Sequence, residues 1–427
     1  MIAFLAAAAS LIAAAPEGAP GAPPTLALAE ALRQLDAQNL TLAQARARAE
    51  QARGVVRQAA AAVLPTLTAG ASYTRNRDQA AVAMPPTGQK LFIQPLETTE
   101  ARGSVRLPLV VPSAWFDLGA ASQAAEASGA SAEAARLDVR AAFAQSAWLA
   151  FMGEEIVAAS QRAVDAAQEQ ENSSRRAVIA GTAAPLSVLQ ARTVTARRQS
   201  DLVRARSELE RAQLALGVFL GRSEPVRIAL PAAAPPADLD SDALASRALS
   251  DRPELRAREA LVRSAGRQLD SARWRWLPQV SASGSIFAAD VPYPTGRKDG
   301  WRVMVDLTWP LYDGGFRYGK AQEAEAALSG AEAARALERL EVGQQVRDAV
   351  RDVAVARERL RLGERQQEAA AEAAASARRG FAAGVAGSIE VIDANDQLFQ
   401  AEVGLADARA RLGVAQVALE RAVGHSP

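Results

Sequence analysis

Two acidic side chains, Glu390 and Asp393, stand three residues apart near the start of a segment with helical periodicity. Residues at this spacing lie on one face of a helix, so the two carboxylates would point the same way. Repeated around a narrow wet pore, such a pair would attract cations and bind multivalent ones. Acidic residues on long helices are more often solvated surface, so the spacing alone leaves both interpretations open.

Few other residues offer reactive chemistry. The 427 residues include no Cys, and the only imidazole is His425, which we expect to be an exposed tail residue. Thiol nucleophiles and zinc thiolate sites are therefore excluded, and a histidine triad or metal cluster is disfavoured. The sequence has no Walker loop, nucleotide fingerprint or metal-ligand cluster, so we predict no catalytic, cofactor or metal site. An enzyme with a carboxylate-only site is the alternative that the residues leave open.

The charge balance argues against a polyanionic partner, and the residue composition favours closely packed helices. Lys and Arg number 49 against 48 Asp and Glu, a formal net charge of +1, so we expect no nucleic-acid partner. Aromatic residues make up 5% of the chain and alanine is abundant. This composition is typical of long, closely packed helices.

The N-terminal residues resemble a secretory leader. Residues 1–15 form an apolar run that we interpret as a signal peptide, and a Pro/Gly-rich leader follows at 16–24. The run is too short for an ordinary membrane-spanning helix. It lacks the usual positive n-region, because no Lys or Arg precedes Arg33. A disordered apolar leader is the alternative.

The remaining chain contains two sequence repeats. Leu64-Pro65 recurs as Leu277-Pro278, and Ala180-Gly181-Thr182 recurs as Ala383-Gly384-Val385, each about 200 residues later. Gly221 pairs with Gly424 in the same way. The predicted organisation is a first structural repeat at 25–223, a linker at 224–239, a second structural repeat at 240–424 and a tail at 425–427.

Each repeat is predicted to hold one moderate and two long helices. The predicted ranges are 25–63, 116–179, 186–220, 240–275, 316–382 and 388–423. A helix of more than 60 residues would extend about 90 Å or more, so it must pack along a neighbour. The last helix has apolar residues at strict three-four spacing from Val391 to Ala422, a heptad seam that any coiled coil would share. The matching helix of the first repeat has the same spacing from Leu202 to Phe219, and the helix at 316–382 has it from Val342 to Leu360.

Four short segments alternate between apolar and small polar residues, at about 66–76, 99–109, 279–289 and 300–309. Such strands are typical of a lipid-facing barrel with a wet interior, although a soluble half-buried sheet also alternates. Four strands cannot close around a channel, whereas three chains would supply twelve. The loops Gln79–Leu96 and Asp290–Lys298 would join the strands of each hairpin.

The order of these features resembles the TolC-like outer-membrane efflux proteins. The shared features are the duplicated plan, the Leu-Pro before each first strand, the exit Pro310-Leu311-Tyr312-Asp313-Gly314-Gly315 and the Ala-Gly turn before a heptad helix. The resemblance implies a mainly α fold with a membrane β-barrel: long antiparallel coiled-coil hairpins plus four strands per chain. It also implies a homotrimer with a 12-stranded barrel in the outer membrane and an α-helical tunnel in the periplasm.

The same resemblance assigns roles to residues around the two Ala-Gly turns. It implies that Glu390 and Asp393 form the pore constriction. It also implies that the turns are tips that contact an adaptor, at Gly181, Thr182, Gly384 and Val385. The chain departs from the family pattern at the latch of the closed state, where Phe381 replaces a tyrosine and Ala386 an arginine. Either the closed state is weaker than in the family, or Arg378 or Arg379, across the turn from Glu390, pairs with Glu390 and serves as the latch.

The implied partners are a periplasmic adaptor protein, an inner-membrane RND or ABC pump and outer-membrane lipid. The implied function is passive exit of substrate in a tripartite efflux or type I secretion system, with the chemistry left to the pump. The two loops would face the cell exterior. A soluble or peripheral coiled-coil scaffold is the alternative function.

Overall fold

The computed structural model describes residues 24–84, 89–230, 240–293 and 295–426. The predicted signal peptide, the leader up to residue 23 and linker residues 231–239 lie outside the described residues.

The described chain is mainly helical, in the order that the two repeats predict. The helices are α1 Leu28–Gln38, α2 Leu40–Ala61, α3 Pro112–Ile179, α4 Pro185–Phe219, α5 Ser241–Asp251, α6 Pro253–Trp274, α7 Phe316–Ala382 and α8 Ser388–Val423. The strands are β1 Thr25–Ala27, β2 Thr66–Arg75, β3 Ala80–Met84, β4 Gln89–Gln94, β5 Glu97–Val110, β6 Arg227–Ala229, β7 Gln279–Ala289 and β8 Asp299–Thr308. Within the described ranges, no helix is both long and apolar enough to cross a membrane.

Two helices predicted as single segments are each divided. Asn39 ends α1 in an extended conformation, and its side chain accepts a hydrogen bond from the Leu42 backbone N–H at 3.1 Å, which begins α2. Arg252 is also extended and separates α5 from α6, because Pro253 disfavours the helical conformation in the residue before it. Each break has a signal in the sequence, a capping asparagine at the first and a proline at the second, which the prediction of single helices did not take into account.

The helix ends of the two repeats have matching geometry. Gly181, Gly221, Gly384 and Gly424 all have positive φ angles, between 71° and 93°. Each stands just after a helix, where the left-handed conformation lets the chain turn back and bond to the last carbonyls. Gly181 corresponds to Gly384, and Gly221 to Gly424, in the two repeats.

The first of two compact units contains the described parts of residues 1–37, 146–233 and 362–410. Its small sheet is a parallel pair, β1 with β6, in which Leu26 faces Ile228. Its core follows the heptad seams of α4 and α8. The buried seam residues include Ala191, Leu202, Ala205, Ala401, Leu405 and Ala408.

The second unit contains the described parts of residues 38–145, 234–361 and 411–427. Val342, Val346 and Val353 on α7 are fully buried and share one core with Leu412 and Leu419 on α8. These residues are the seam positions that the three-four spacing predicts. Helix packing in this unit therefore follows the sequence pattern closely.

A four-stranded antiparallel sheet in the second unit has the order β2-β5-β7-β8. One row of paired residues runs Leu67, Val105, Gly284 and Val303 across the sheet. The next row, on the opposite face, runs Thr66, Arg106, Ser283 and Met304. The strand pairing thus confirms the predicted division into an apolar face and a mostly small-polar face across all four strands.

The region 79–96, predicted as a loop, contains the β3–β4 hairpin. These two strands form a separate sheet and do not extend the four-stranded one. Within the described residues, β2 and β8 therefore each present one unpaired edge.

Candidate functional site

The first helix tip joins α3 to α4 through residues 180–184. The Thr182 N–H donates to the Ala177 carbonyl at 2.9 Å, and the Gly181 N–H donates to the Val178 carbonyl at 3.0 Å. Gly181 has φ 74°, which a residue with a β-carbon resists. No neighbouring heavy atom lies within 4 Å of the point that a β-carbon would occupy, so the constraint here is the backbone conformation alone.

The second tip joins α7 to α8 with the same geometry. The Val385 N–H donates to the Gly380 carbonyl at 2.9 Å, and the Gly384 N–H donates to the Phe381 carbonyl at 3.1 Å. Gly384 has φ 72°, and Val385 is 83% exposed. The tip residues named from the sequence are therefore a solvated turn.

Glu390 and Asp393 both lie in the first two turns of α8, and both are exposed. The Glu390 carboxylate accepts a hydrogen bond from the Gly387 backbone N–H at 3.1 Å. An acidic residue at this position satisfies a free N–H at the helix N-terminus. Asp393 has no side-chain hydrogen bond or ion pair to another described residue.

A cavity of about 1250 Å³ lies between the two tips of the first unit. Its lining includes Glu390, Arg378, Arg176, Gln170 and residues of both turns. Arg378 and Arg379 are exposed. Within this single chain neither forms an ion pair with Glu390 among the described residues. The structure thus brings Arg378 and Glu390 to one cavity, and their pairing stays a prediction.

Below the tips, polar side chains connect α8 to α3. The Gln170 Nε2 donates to the Ser388 Oγ at 3.1 Å, and the Ser174 Oγ lies 3.3 Å from the same oxygen. Gln170 and Ser174 are buried. The packing of α8 near its first residue is therefore polar, unlike the apolar seam farther along the helix.

Arg198 forms a second polar contact in this unit. It is 6% exposed, and it pairs with Asp201 at 3.3 Å and with Asp396 on α8. Its guanidinium carbon lies 4.4 Å from the centre of the Phe399 ring. Burial lowers the pKa of Arg198, and the negative charge of Asp201 opposes that shift. A buried charge of this kind is tolerated because its partners are charged or aromatic.

Arg198 is not among the residues predicted from the sequence, although a signal is present. Arg198 falls on the three-four seam that connects Ala191, Thr195, Leu202 and Ala205, all of which are buried. A charged residue at an apolar seam position indicates a buried polar partner on the facing helix. The sequence alone does not identify that partner as Asp396.

Comparisons with known proteins place this fold. The family model of the outer membrane efflux protein matches residues 31–222 and 244–425. The outer membrane protein OprJ from Pseudomonas aeruginosa is 28% identical over 187 residues, which cover 42% of this chain and 38% of OprJ. The aligned segment therefore spans less than half the length of that relative.

Two solved structures are similar over almost the whole chain. The outer membrane protein VceC from Vibrio cholerae has a TM-score of 0.77 at 19% identity, covering 93% of this chain and 96% of VceC. The outer membrane channel CmeC from Campylobacter jejuni has a TM-score of 0.79 at 16% identity, covering 93% of this chain and 85% of CmeC. These likenesses show the fold, and the family model matches both repeats. The chain belongs to the outer membrane efflux protein family.

Proposed function

We propose that this protein is one protomer of a trimeric outer-membrane channel, which gives substrate a passive exit in a tripartite efflux or type I secretion system. The observation that carries the proposal is the four-stranded sheet. One of its faces is apolar, the other is mostly small and polar, and both of its edges are free within the described chain.

The free edges support closure by copies of the same chain. Unpaired edges of strands ten residues long invite further pairing, and natural proteins rarely leave them open. The four strands alternate in direction, so β8 of one copy can meet β2 of the next in the antiparallel sense that the sheet already uses. Three copies give twelve strands, enough to enclose a channel.

The exposed residues of the apolar face support contact with lipid. Leu67 is 82% exposed, Ile286 68% and Val303 66% in the single chain. A continuous exposed apolar surface is unfavourable in water and favourable in a bilayer. Trp301, 75% exposed, lies near one end of β8, where aromatic residues flank the hydrocarbon region of membrane barrels. In a soluble coiled-coil scaffold this apolar surface would face water, which is unfavourable.

In the trimer, Glu390 and Asp393 would contribute six carboxylates to the constriction at the periplasmic entrance. Their exposure and shared helix face support this role. The tips at Gly181, Thr182, Gly384 and Val385 would contact the periplasmic adaptor, which connects to an RND or ABC pump in the inner membrane. Arg378 and Arg379 would hold the closed state.

Cell fractionation followed by electrophoresis tests the proposal. We expect the protein in the outer-membrane fraction, migrating as a trimer in SDS before heating and as a monomer afterwards. The purified protein should form ion-conducting pores in planar bilayers. A soluble monomer without pore activity would contradict the channel and favour the scaffold.

A further inference from the structure

The small-polar face of the sheet carries arginines without counter-ions. Arg106 is exposed on β5, and its neighbours in the same row are Thr66 and Ser283. Arg302 is exposed on β8, and its neighbour on β7 is Ser285. Neither arginine forms an ion pair or a side-chain hydrogen bond with another residue of the described chain.

The acidic residues on this face do not neutralise the two arginines. Glu100 is already paired with a third arginine, Arg102, at 2.7 Å. Asp306 lies opposite Ser281, four residues along β8 from Arg302. The backbones of residues four apart on a strand are about 13 Å apart, and Asp306 forms no ion pair with Arg302 or with Arg106 within the described residues. The face therefore holds three arginines against two acids, a net charge of +1 per chain, and the two arginines without an acidic partner are Arg106 and Arg302.

The surroundings of Arg106 and Arg302 are suited to binding anions. The residues paired with them on neighbouring strands are Thr66, Ser283 and Ser285, and the row of Arg302 continues to the Thr68–Ser104 pair, whose oxygens are 2.7 Å apart. None of these hydroxyls adds charge. A guanidinium stays charged at all physiological pH values, and its planar set of donors matches carboxylate, phosphate and sulfonate groups.

We propose that this face forms an anion-attracting zone of the channel, and that the exported substrates include organic anions with carboxylate, phosphate or sulfonate groups. This inference rests on the proposed function, because the face lines a lumen only when three chains close the barrel. The trimer then presents six unpaired guanidinium groups and three Asp306 carboxylates to the passage, a net excess of three positive charges. Cargo of that charge is drawn into the zone, while small cations are repelled.

The test is made in a background without the acidic pair of α8, because Glu390 and Asp393 would add a cation preference of their own. The background protein carries Glu390→Gln and Asp393→Asn, and its pores are recorded in planar bilayers under a KCl gradient. We expect a reversal potential that shows preference for chloride over potassium. We also expect citrate, a trivalent anion, to reduce the conductance.

Two further variants test whether the charges of Arg106 and Arg302 cause the chloride preference and the citrate block. Arg106→Ser with Arg302→Ser should abolish the chloride preference and weaken the citrate block by about tenfold or more, because the attraction comes from those charges. Arg106→Lys with Arg302→Lys should keep the preference. The matched control is Arg75→Ser, which removes an arginine of β2 from the opposite face, where it lies 3.6 Å from Glu97. This control should leave both quantities unchanged.

The outcomes separate the two proposals. If no variant forms trimers or pores, the channel itself is wrong. If the pores conduct normally but the serine variants keep the reversal potential and the citrate block of the background protein, the anion zone is wrong. Heat-modifiable trimers in SDS establish that each variant is assembled before its conductance is interpreted.

Discussion

The carboxylate of Glu390 caps its own helix by accepting the Gly387 backbone N–H at 3.1 Å. The residue predicted for the pore constriction therefore also stabilises the start of α8. Replacement by alanine would remove both the charge and the cap, whereas glutamine removes the charge and can still accept the hydrogen bond. The two contributions can be separated by choosing the substitution.

Glu390→Gln with Asp393→Asn should reduce cation selectivity and weaken block by multivalent cations, because six carboxylates are removed from the constriction. Single-channel recording with hexamminecobalt on the periplasmic side measures both. The control is Glu372→Gln, an exposed acid on α7. Unchanged selectivity and block in the double variant would show that these residues do not form the constriction.

Valine at both Gly181 and Gly384 should impair adaptor docking while leaving trimers intact. Positive φ angles of 74° and 72° would cost a β-branched residue about 1–2 kcal/mol at each tip. Asparagine tolerates this conformation, so Gly181→Asn with Gly384→Asn is the matched control. Co-purification with the adaptor and an export assay provide the readout. Normal docking and export by the valine variant would show that the tips do not contact the adaptor.

Arginine at Val303 should prevent insertion or assembly, whereas arginine at the adjacent Met304 should be tolerated. The two positions follow one another on β8 but lie on opposite faces of the sheet. An arginine facing lipid near the bilayer centre costs about 2–4 kcal/mol, while one facing a wet lumen does not. The amount of SDS-resistant trimer in the outer membrane distinguishes them. Equal tolerance at both positions would contradict a lipid-facing sheet.

Glu254 should make the second unit sensitive to acid. Burial alone would raise the pKa of Glu254, but hydrogen bonds from Arg252 and Arg421 outweigh it and lower the pKa to about 2. A folded-state pKa below the unfolded value gives stability that is present above the unfolded pKa, near 4.5, and is lost as the pH falls toward 2.

Unfolding by denaturant at several pH values measures that contribution. Glu254→Gln should lower the free energy of unfolding at pH 7, and its difference from the parent should shrink as the pH falls below about 4.5. The control is Glu259→Gln, which removes an acid from the same helix. A difference that stays constant from pH 7 to pH 3 would show that ionisation of Glu254 does not stabilise the fold.

Most of the fold could be predicted because the signals for it are local. Three-four spacing identified the buried seam of α7 and α8, and two-residue alternation identified the faces of the sheet. Positive-φ glycines such as Gly181 and Gly384 terminated helices where the repeat predicted turns. Each of these features depends on residues close together in the chain.

The features that were not predicted from the sequence depend on residues that are far apart in the chain. The parallel pairing of β1 with β6 joins three-residue strands about 200 residues apart, too short to show alternation. Arg198 breaks an apolar seam, and only the three-dimensional structure shows that Asp396 and Phe399 surround it. The roles of Glu390 and Asp393 remain predictions, because they concern a trimer and its open and closed states.

Intermolecular cross-linking of the sheet edges tests the central proposal most directly. The sequence has no native cysteine, so every disulfide formed joins introduced cysteines. One cysteine is placed on β2 at Thr68 and one on β8 in turn at Arg302, Met304, Asp306 and Thr308, all on the same face of the sheet. Within one chain β5 and β7 separate β2 from β8 by about 14 Å, so no intramolecular disulfide can form between the edges. We predict that at least one pair gives a reducible covalent trimer and no larger species. If every pair leaves monomers after oxidation, or if the products form an unlimited ladder, three chains do not close a barrel.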